Sequence, residues 1–562
     1  IGEAIFSAMR VQKSGVSANT GPTTGNLEDD FWEAYKRVVD QENLGKKKGS
    51  AKVLVSILFR CNGASYYLED FNNEMFRSLL NDVVDRAKGE DGRGSSRGIG
   101  TCAVCNRSSV PVSGLAVSKA NYKFSALDKY IMLPGMNFSN AWKAMPVCDE
   151  CFNILISSNK YITENLSFPR QLNKDKKEQS FPLNFWMIPS CLTGMTADSL
   201  KKFENTLNDG SMRGLITADD QLALLAETKD LQGFQYNLLF YKMDQSHMTI
   251  NAYVTDLPPS RLTELDKIQK GIRMLNLSSE GITRTIFGKS ANLVDYLAGS
   301  EPGWPFVFLH QQYTKVVKTE HGTKQITEGT YYRLVESIFA GNELRIDVIR
   351  AFVNSVRKQY RGMFDKKSGK GYSGFQNEVI KTFLLNKYLI DSRAIKGDEN
   401  MVEDEVGGIS ATPPANGRTA SGNYSNLDAL FKDLGIADEE RLASIAVGVL
   451  ANKALCVQRH ERNISYRDRG KEPFWSNLND LNIDLQLLRR IATKAIDKLA
   501  DYQKLGLFTD IEQEAMTHLS RIHGQARLSR DELSYYFSVG LAMGDAVARR
   551  SVDGDNNSGG WC

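Results

Sequence analysis

Cys102-Ala-Val-Cys105 and Cys148-Asp-Glu-Cys151 are the two stretches that decide how this 562-residue chain is organised. A two-residue gap turns both thiolates of a pair back onto one ion. Two such pairs supply the four soft ligands of a tetrahedral structural zinc. Asn106 can support the first tight turn, and Pro146 enters the second knuckle with its φ already fixed. Four cysteines leave no coordination position for water, so the expected metal is structural rather than catalytic. The bland alternative is two unrelated pairs of free cysteines. A redox pair would need a thioredoxin-like βαβ pattern beside it, and the sequence has none.

Working outward, Asn106 to Val147 places 42 residues between the pairs, where a zinc ribbon has about 15–20. The clip therefore staples the base of a long insertion carrying Tyr122, Phe124, Tyr130, Phe138 and Trp142. Closing such a loop without metal costs several kcal/mol of chain entropy, as an order of magnitude. Upstream, residues 28–43 read as an amphipathic helix and Lys52–Phe59 as a strand. Asn62-Gly63 reads as a hairpin turn with Ala64–Leu68 returning, and Asn72–Ala87 as a second helix. The glycine-rich run Gly89–Gly100 has the wrong spacing for a phosphate loop and follows a helix, so a flexible loop is expected.

Downstream, Phe152–Asn165 reads as a helix and Phe185-Trp-Met-Ile-Pro189 as a short strand. Tyr236–Met243 and Met248–Leu257 alternate as a long hairpin, and Pro258-Pro-Ser-Arg-Leu262 opens a helix. The chain then turns mainly helical. Glu343–Arg361 carries Ile346, Ile349, Phe352, Val353, Val356 and Tyr360 on one face, ringed by Arg345, Arg350, Arg357, Lys358 and Arg361. Residues 392–425 are rich in Gly, Ser, Asn, Pro and acids and read as a flexible linker. About five helices follow between Leu427 and Arg550. The expected fold is α+β. A zinc-stapled mixed α/β region (1–270, with the insertion at 102–151) precedes a helical region (271–391), the linker, and a C-terminal helical bundle (426–551).

Composition excludes several classes. A hydrophobic content of 41% with 24% charged residues is that of an ordinary globular chain, and no run is long and apolar enough to span a membrane. Ile1-Gly-Glu-Ala-Ile-Phe lacks the basic and apolar parts of a secretory signal. Ile1 is not an initiator Met, so the true start is left open. Cys61, Cys191, Cys456 and Cys562 suggest no disulfide framework, which points to a reducing cytoplasm. Net charge is only +3, but positive charge is clumped at Lys46–Lys48, Arg93 with Arg97, Arg170 with Lys174–Lys177, and Lys366–Lys370. Such loops suit a phosphate backbone. In the helix near Leu485–Tyr502, Arg490, Lys494 and Lys498 repeat every four residues, opposite Leu488, Ala492, Ala495 and Leu499. No metalloprotease histidine spacing, Walker glycine before Gly288-Lys-Ser290 or nucleophile elbow appears, so no enzyme is expected.

The order of these features resembles the large subunit of a type I-B CRISPR interference complex (Cascade). The resemblance rests on the four cysteines, the strand ending at Pro189, and the hairpin running into Asp256-Leu-Pro-Pro-Ser-Arg-Leu262. The helical region, linker and terminal bundle complete it. It implies a non-catalytic role in RNA-guided DNA binding, in which the guide reads the target and this subunit reads a short flanking motif. The implied partners are guide RNA, double-stranded target DNA and its displaced strand, the backbone, guide-end-binding and small subunits, and a helicase-nuclease recruited in trans. The terminal bundle is similar to the small subunits of these complexes, and Met401 is a candidate internal start for a separate one. Reading the flanking motif would fall to Lys47, Arg93, Asn106, Arg107 and Lys123. Holding the displaced strand would fall to Arg490, Lys494 and Lys498. Two other classes stay open from the residues alone: a stand-alone zinc-containing nucleic-acid-binding protein, and a nuclease whose site has no familiar motif.

Overall fold

The computed structural model describes residues 59–61, 64–66, 90–91, 94–120, 122, 134–168, 184–191, 196, 198, 201, 203, 205, 234–244, 247–273, 304–319, 322–365, 371–396, 424–464 and 470–548. They fall in two compact units, one within Ile1–Tyr161 and Asp244–Met248, the other within Ile162–Met243 and Thr249–Cys562. The helices expected at 28–43 and Asn72–Ala87 lie outside the described residues, as does most of the strand expected at Lys52–Phe59.

In the first unit, β1 (Phe59–Cys61) and β2 (Ala64–Tyr66) pair antiparallel with Cys61 opposite Ala64, which is the hairpin expected around Asn62-Gly63. The glycine-rich run is not a loop. It forms β3 (Glu90–Asp91), β4 (Gly94–Ser95) and β5 (Arg97–Gly100). With β6 (Val110–Ser113) and β7 (Val147–Cys148), β5 makes a three-stranded antiparallel sheet in the order β5-β6-β7. The reason is Trp142. A Cβ on Gly98 would sit 2.2 Å from its indole, and one on Gly114 would sit 2.6 Å from its Cα. The Trp142 N–H also donates to Ser96 Oγ at 3.0 Å. These glycines clear space for a ring; they do not supply flexibility. A short α1 (Ala116–Lys119) follows β6, and the long α2 (Asp149–Asn165) follows β7.

In the second unit, β8 (Ser167–Phe168), β9 (Asn184–Cys191), β10 (Phe234–Asp244) and β11 (His247–Leu257) form one sheet in the order β11-β10-β9-β8. Its inner face follows a period of two: Phe234, Tyr236, Leu238 and Phe240 are buried while the residues between them are half-buried. Phe240 packs on Phe339, with ring centroids 5.5 Å apart, which joins the sheet to a helix. Asp256 takes a left-handed φ of 53° at the end of β11 and turns the chain into α3 (Pro259–Arg273). There Arg261 is buried and donates to the carbonyls of Ile338, Phe339 and Ser392 and to Glu264. It thereby satisfies carbonyls that a helix end leaves without intrahelical partners.

The remainder is mainly helical, as expected: α4 (Trp304–Tyr313), α5 (Gly329–Ala340), α6 (Val348–Phe364) and α7 (Tyr372–Asp391). One hairpin interrupts the helical run, β12 (Thr314–Thr319) with β13 (Gly322–Thr327), between α4 and α5. Helix α6 begins at Val348 behind an Asp347 cap and buries Phe352, Val353, Val356 and Tyr360. Two of the arginines that ring this helix are tied to the terminal bundle. Arg357 donates to Leu481 O and Ser534 Oγ and pairs with Asp531, while Arg361 pairs with Asp480.

The expected terminal helices are α8 (Leu427–Leu434), α9 (Glu439–Glu461), α10 (Leu485–Asp501), α11 (Thr509–Arg521) and α12 (Arg530–Met543). Helix α9 is buried almost throughout and lies against α12 at backbone distance. A Cβ on Gly448 would meet Phe537 O at 2.2 Å, and one on Gly540 would meet Ile445 O at 2.0 Å. Helix α7 joins them through buried hydrogen bonds: Tyr372 Oη donates to Leu541 O, Gln376 Nε2 to Ala542 O, and Asn452 Nδ2 to both Leu541 O and Asp545. At the ends of the expected linker, Ser392, Ala394, Ile395 and Tyr424 are buried. Residues 397–423, with Met401, lie outside the described residues. Cys456, read from the sequence as part of no disulfide framework, is disulfide-bonded. No described helix is long and apolar enough to cross a membrane.

Candidate metal centre

Each ligand pair sits on a turn that its neighbours fix. After β5 the chain folds back so that the Asn106 N–H donates to Cys102 O and the Cys102 N–H to Arg107 O, both at 2.9 Å. The turn needs a left-handed residue, and Asn106 supplies it at φ 58°. The two knuckles are tied together by the Ala103 N–H donating to Pro146 O at 2.8 Å. Cys148 ends β7, and Cys151 lies in the first turn of α2.

The four sulfurs all lie within 4.8 Å of one another. Cys105 Sγ and Cys148 Sγ are 3.8 Å apart, close to the edge of a tetrahedron built on Zn–S bonds of about 2.3 Å. This cluster is positioned to chelate a structural metal ion such as zinc, and the all-thiolate donor set fits that ion. A closed four-sulfur site staples the fold and leaves no place for substrate.

The electrostatics favour thiolates on one side of the cluster. Cys105 is held down to about 6, first by the hydrogen bond from Arg107 Nε at 3.4 Å. At Cys102 burial pushes the thiol up, but backbone N–H groups of Cys105, Cys148 and Val104 outweigh it and the net direction is down. The Cys148 N–H donates to Cys102 Sγ at 3.4 Å. At Cys151 burial raises the thiol well above its ordinary value, so the metal must displace that proton on binding. Arg107 also pairs with Glu150, which fixes the guanidinium over the cluster. It is an outer ligand of the kind that orients a metal site and offsets its negative charge. The cysteines mark the metal in the sequence; nothing there marks Arg107 as their supporting residue.

The residues expected to touch nucleic acid fall into three groups. Lys47, Arg93 and Lys123 lie outside the described residues. Asn106 and Arg107 sit together on the first knuckle, both exposed. Arg490, Lys494 and Lys498 share α10, whose Leu488, Ala492, Ala495 and Leu499 are buried as the spacing implied. They are not equivalent. Arg490 is exposed, with no partner among the described residues, and Lys494 donates to Asn477 Oδ1 at 2.6 Å. Lys498 pairs with Asp501 at 2.8 Å and lies 5.7 Å from the Tyr502 ring, and the Asp501 hydrogen bond raises its pKa.

Comparison with known families bears on what this scaffold serves. Residues 99–257, which hold the cluster and the long hairpin, match the central domain of the CRISPR-associated protein TM1802 family. Residues 308–553, from α4 through the last helix, match the C-terminal domain of the same family. No curated protein matches the chain. The two matches run in chain order and together cover more than half of it, so the chain belongs to the TM1802 family of CRISPR-associated proteins.

Proposed function

We propose that this chain is the non-catalytic large subunit of an RNA-guided CRISPR surveillance complex of the Cascade type. It would read the motif flanking the target in double-stranded DNA, aid strand opening, hold the displaced strand and dock a helicase-nuclease. The observation that carries the reading is the match to both domains of one CRISPR-associated family, in order, on a chain stapled by a four-cysteine cluster. The division of labour follows from RNA-guided recognition, where base pairing reads sequence and the protein reads shape and a short motif. On the knuckle side, Asn106 offers an amide for base edges. Ile99 and Val104, 73% and 47% exposed, offer the apolar side chains that part a base step. On α10, Arg490 and Lys494 provide the backbone contacts for the displaced strand.

The test is affinity purification of the tagged chain from its native cells, followed by sequencing of bound RNA. The expected result is short RNAs of uniform length sharing a repeat-derived end, with several co-purifying proteins. Mixed RNA or none, from a chain that purifies alone, would leave the stand-alone zinc-containing nucleic-acid-binding protein as the surviving reading.

A further inference from the structure

Helix α6 has a side that the reading above leaves unused. Between Asp347 and Asp365 its 17 residues hold the cations Arg350, Arg357, Lys358 and Arg361 and no acid. Val348, Phe352, Val353, Val356 and Tyr360 are buried. At about 100° per residue, Arg350, Asn354, Lys358 and Arg361 fall within about 80° of arc on the opposite side. All four are exposed. Arg357 is not among them, being tied to Leu481 O, Ser534 and Asp531. The side chains of Arg350 and Lys358 have no ionic partner among the described residues. From Arg350 to Arg361 the stripe runs about 16 Å, the rise of roughly five stacked nucleotides at about 3.4 Å each.

An aromatic ring closes the stripe. Phe364, the last residue of α6, is 45% exposed. Buried Tyr360 and Trp475 hold it edge-on, with ring centroids 5.0 and 6.1 Å away. Trp475 belongs to the segment Pro473–Leu481, and that segment touches both basic helices. Arg361 Nε donates to Asp480 Oδ2 at 2.6 Å, and Lys494 of α10 donates to Asn477 Oδ1 at 2.6 Å. Three residues of chain separate Asn477 from Asp480, a reach of at most about 11 Å. The corner between them is fixed. Asn479, Asp480 and Leu481 take successive left-handed φ angles of 45°, 54° and 56°, and Arg357 holds Leu481 O from α6. The stripes of α6 and α10 therefore meet at this corner, with the Phe364 ring beside it.

We infer that the exposed face of α6 is a track for a single DNA strand, continuous at the corner with Arg490 and Lys494. Arg350, Lys358 and Arg361 take its phosphates, and a base lies on the Phe364 ring. A duplex offers phosphates but keeps its base faces stacked on one another. A single strand offers both, and cations along the backbone with an aromatic ring under a base hold such strands without regard to sequence. Asp480 competes for Arg361, so the strand takes that guanidinium from it. The inference rests on the displaced-strand reading proposed above and adds a second helix to it.

The test uses the full chain and anisotropy titrations over a range of salt. The probes are fluorescein-labelled single-stranded DNA, its duplex, and the matching single-stranded RNA. Replacing both Arg350→Ala and Lys358→Ala should lower the salt slope on single-stranded DNA by about 1.4 and weaken binding roughly 14-fold at about 0.15 M. Phe364→Leu, which keeps an apolar side chain against Tyr360 and Trp475, should weaken binding about fivefold or more with the slope unchanged. Phe364→Trp should bind like the parent. Asp480→Asn, which suits a left-handed position, should release Arg361, steepen the slope by about 0.7 and tighten binding roughly fourfold. Suppose the parent binds single-stranded DNA, all these variants stay within about twofold of it, and Arg490→Ala with Lys494→Ala binds weakly. The α6 track is then refuted while the α10 reading stands. If the parent binds no single strand, both fall. A loss as large on duplex with Phe364→Leu silent, or a loss on RNA alone, would also overturn the inference.

Discussion

The basic face of α10 gives the sharpest quantitative expectation, because its three cations differ in what they already touch. Lys498 is committed to Asp501 and the Tyr502 ring, whereas Arg490 and Lys494 are exposed and have no ionic partner among the described residues. Only two phosphate contacts are therefore available, not three. On a single strand each contact contributes about 0.7 to the slope of log K against log salt, so losing two lowers it by about 1.4 and weakens binding roughly 14-fold at about 0.15 M. On a duplex the same change is about 1.8 and roughly 30-fold. Arg490→Ala with Lys494→Ala, titrated by anisotropy against labelled single-stranded and duplex DNA, reads both figures and tells which form the face holds. Lys498→Ala should move the slope by much less than either single change. A double variant with the parent slope, or a Lys498→Ala effect as large as that of Arg490→Ala, would refute the reasoning.

Three further outcomes are expected. Protein purified from zinc-supplemented cells should carry one zinc per chain by elemental analysis, and Cys148→Ser should abolish it; a metal-free parent chain that melts at the same temperature with and without added zinc would contradict the centre. Gly540→Ala should lower Tm, because a Cβ 2.0 Å from Ile445 O costs about 1–3 kcal/mol of overpacking. That outweighs the gain of about 1 kcal/mol in helix propensity, whereas Gly374→Ala, with nothing within 4 Å, should raise Tm. Glu514 is raised to about 7, first by burial and then by Asp428 and Asp510, and its Oε2 has no hydrogen-bond partner among the described residues. A raised folded value adds stability below the unfolded value near 4.5 and loses it as pH climbs to about 7. Glu514→Gln should therefore melt higher than the parent at alkaline pH, with the gap closing toward pH 4.5; a gap independent of pH would rule this out.

Features set by local spacing were legible before any coordinates. The metal ligands announce themselves in two short turns, and β10 and β11 alternate strictly enough to be read as strands. The buried stripe of α6 follows its helical period. What escaped depends on partners distant in sequence. Gly98 stands in a run that looks flexible until Trp142 is seen lying against it. Arg357 looks like a surface cation until Leu481 and Asp531 close on it, more than a hundred residues away. Arg261 stands within a short legible motif, but its job as a cap on Ile338 and Phe339 cannot be read from neighbours in the chain. The β12–β13 hairpin is short and lysine-rich between two helices, too brief for alternation to stand out.

The uneven burial of the four thiolates bears on how the ion comes and goes. Cys102, Cys148 and Cys151 are enclosed, and Cys105 alone faces solvent. A chelator, an alkylating reagent or an oxidant meets that sulfur first, beneath the Arg107–Glu150 pair. Exchange is therefore expected to start at that corner, with the three enclosed sulfurs holding the ion while the fourth lets go.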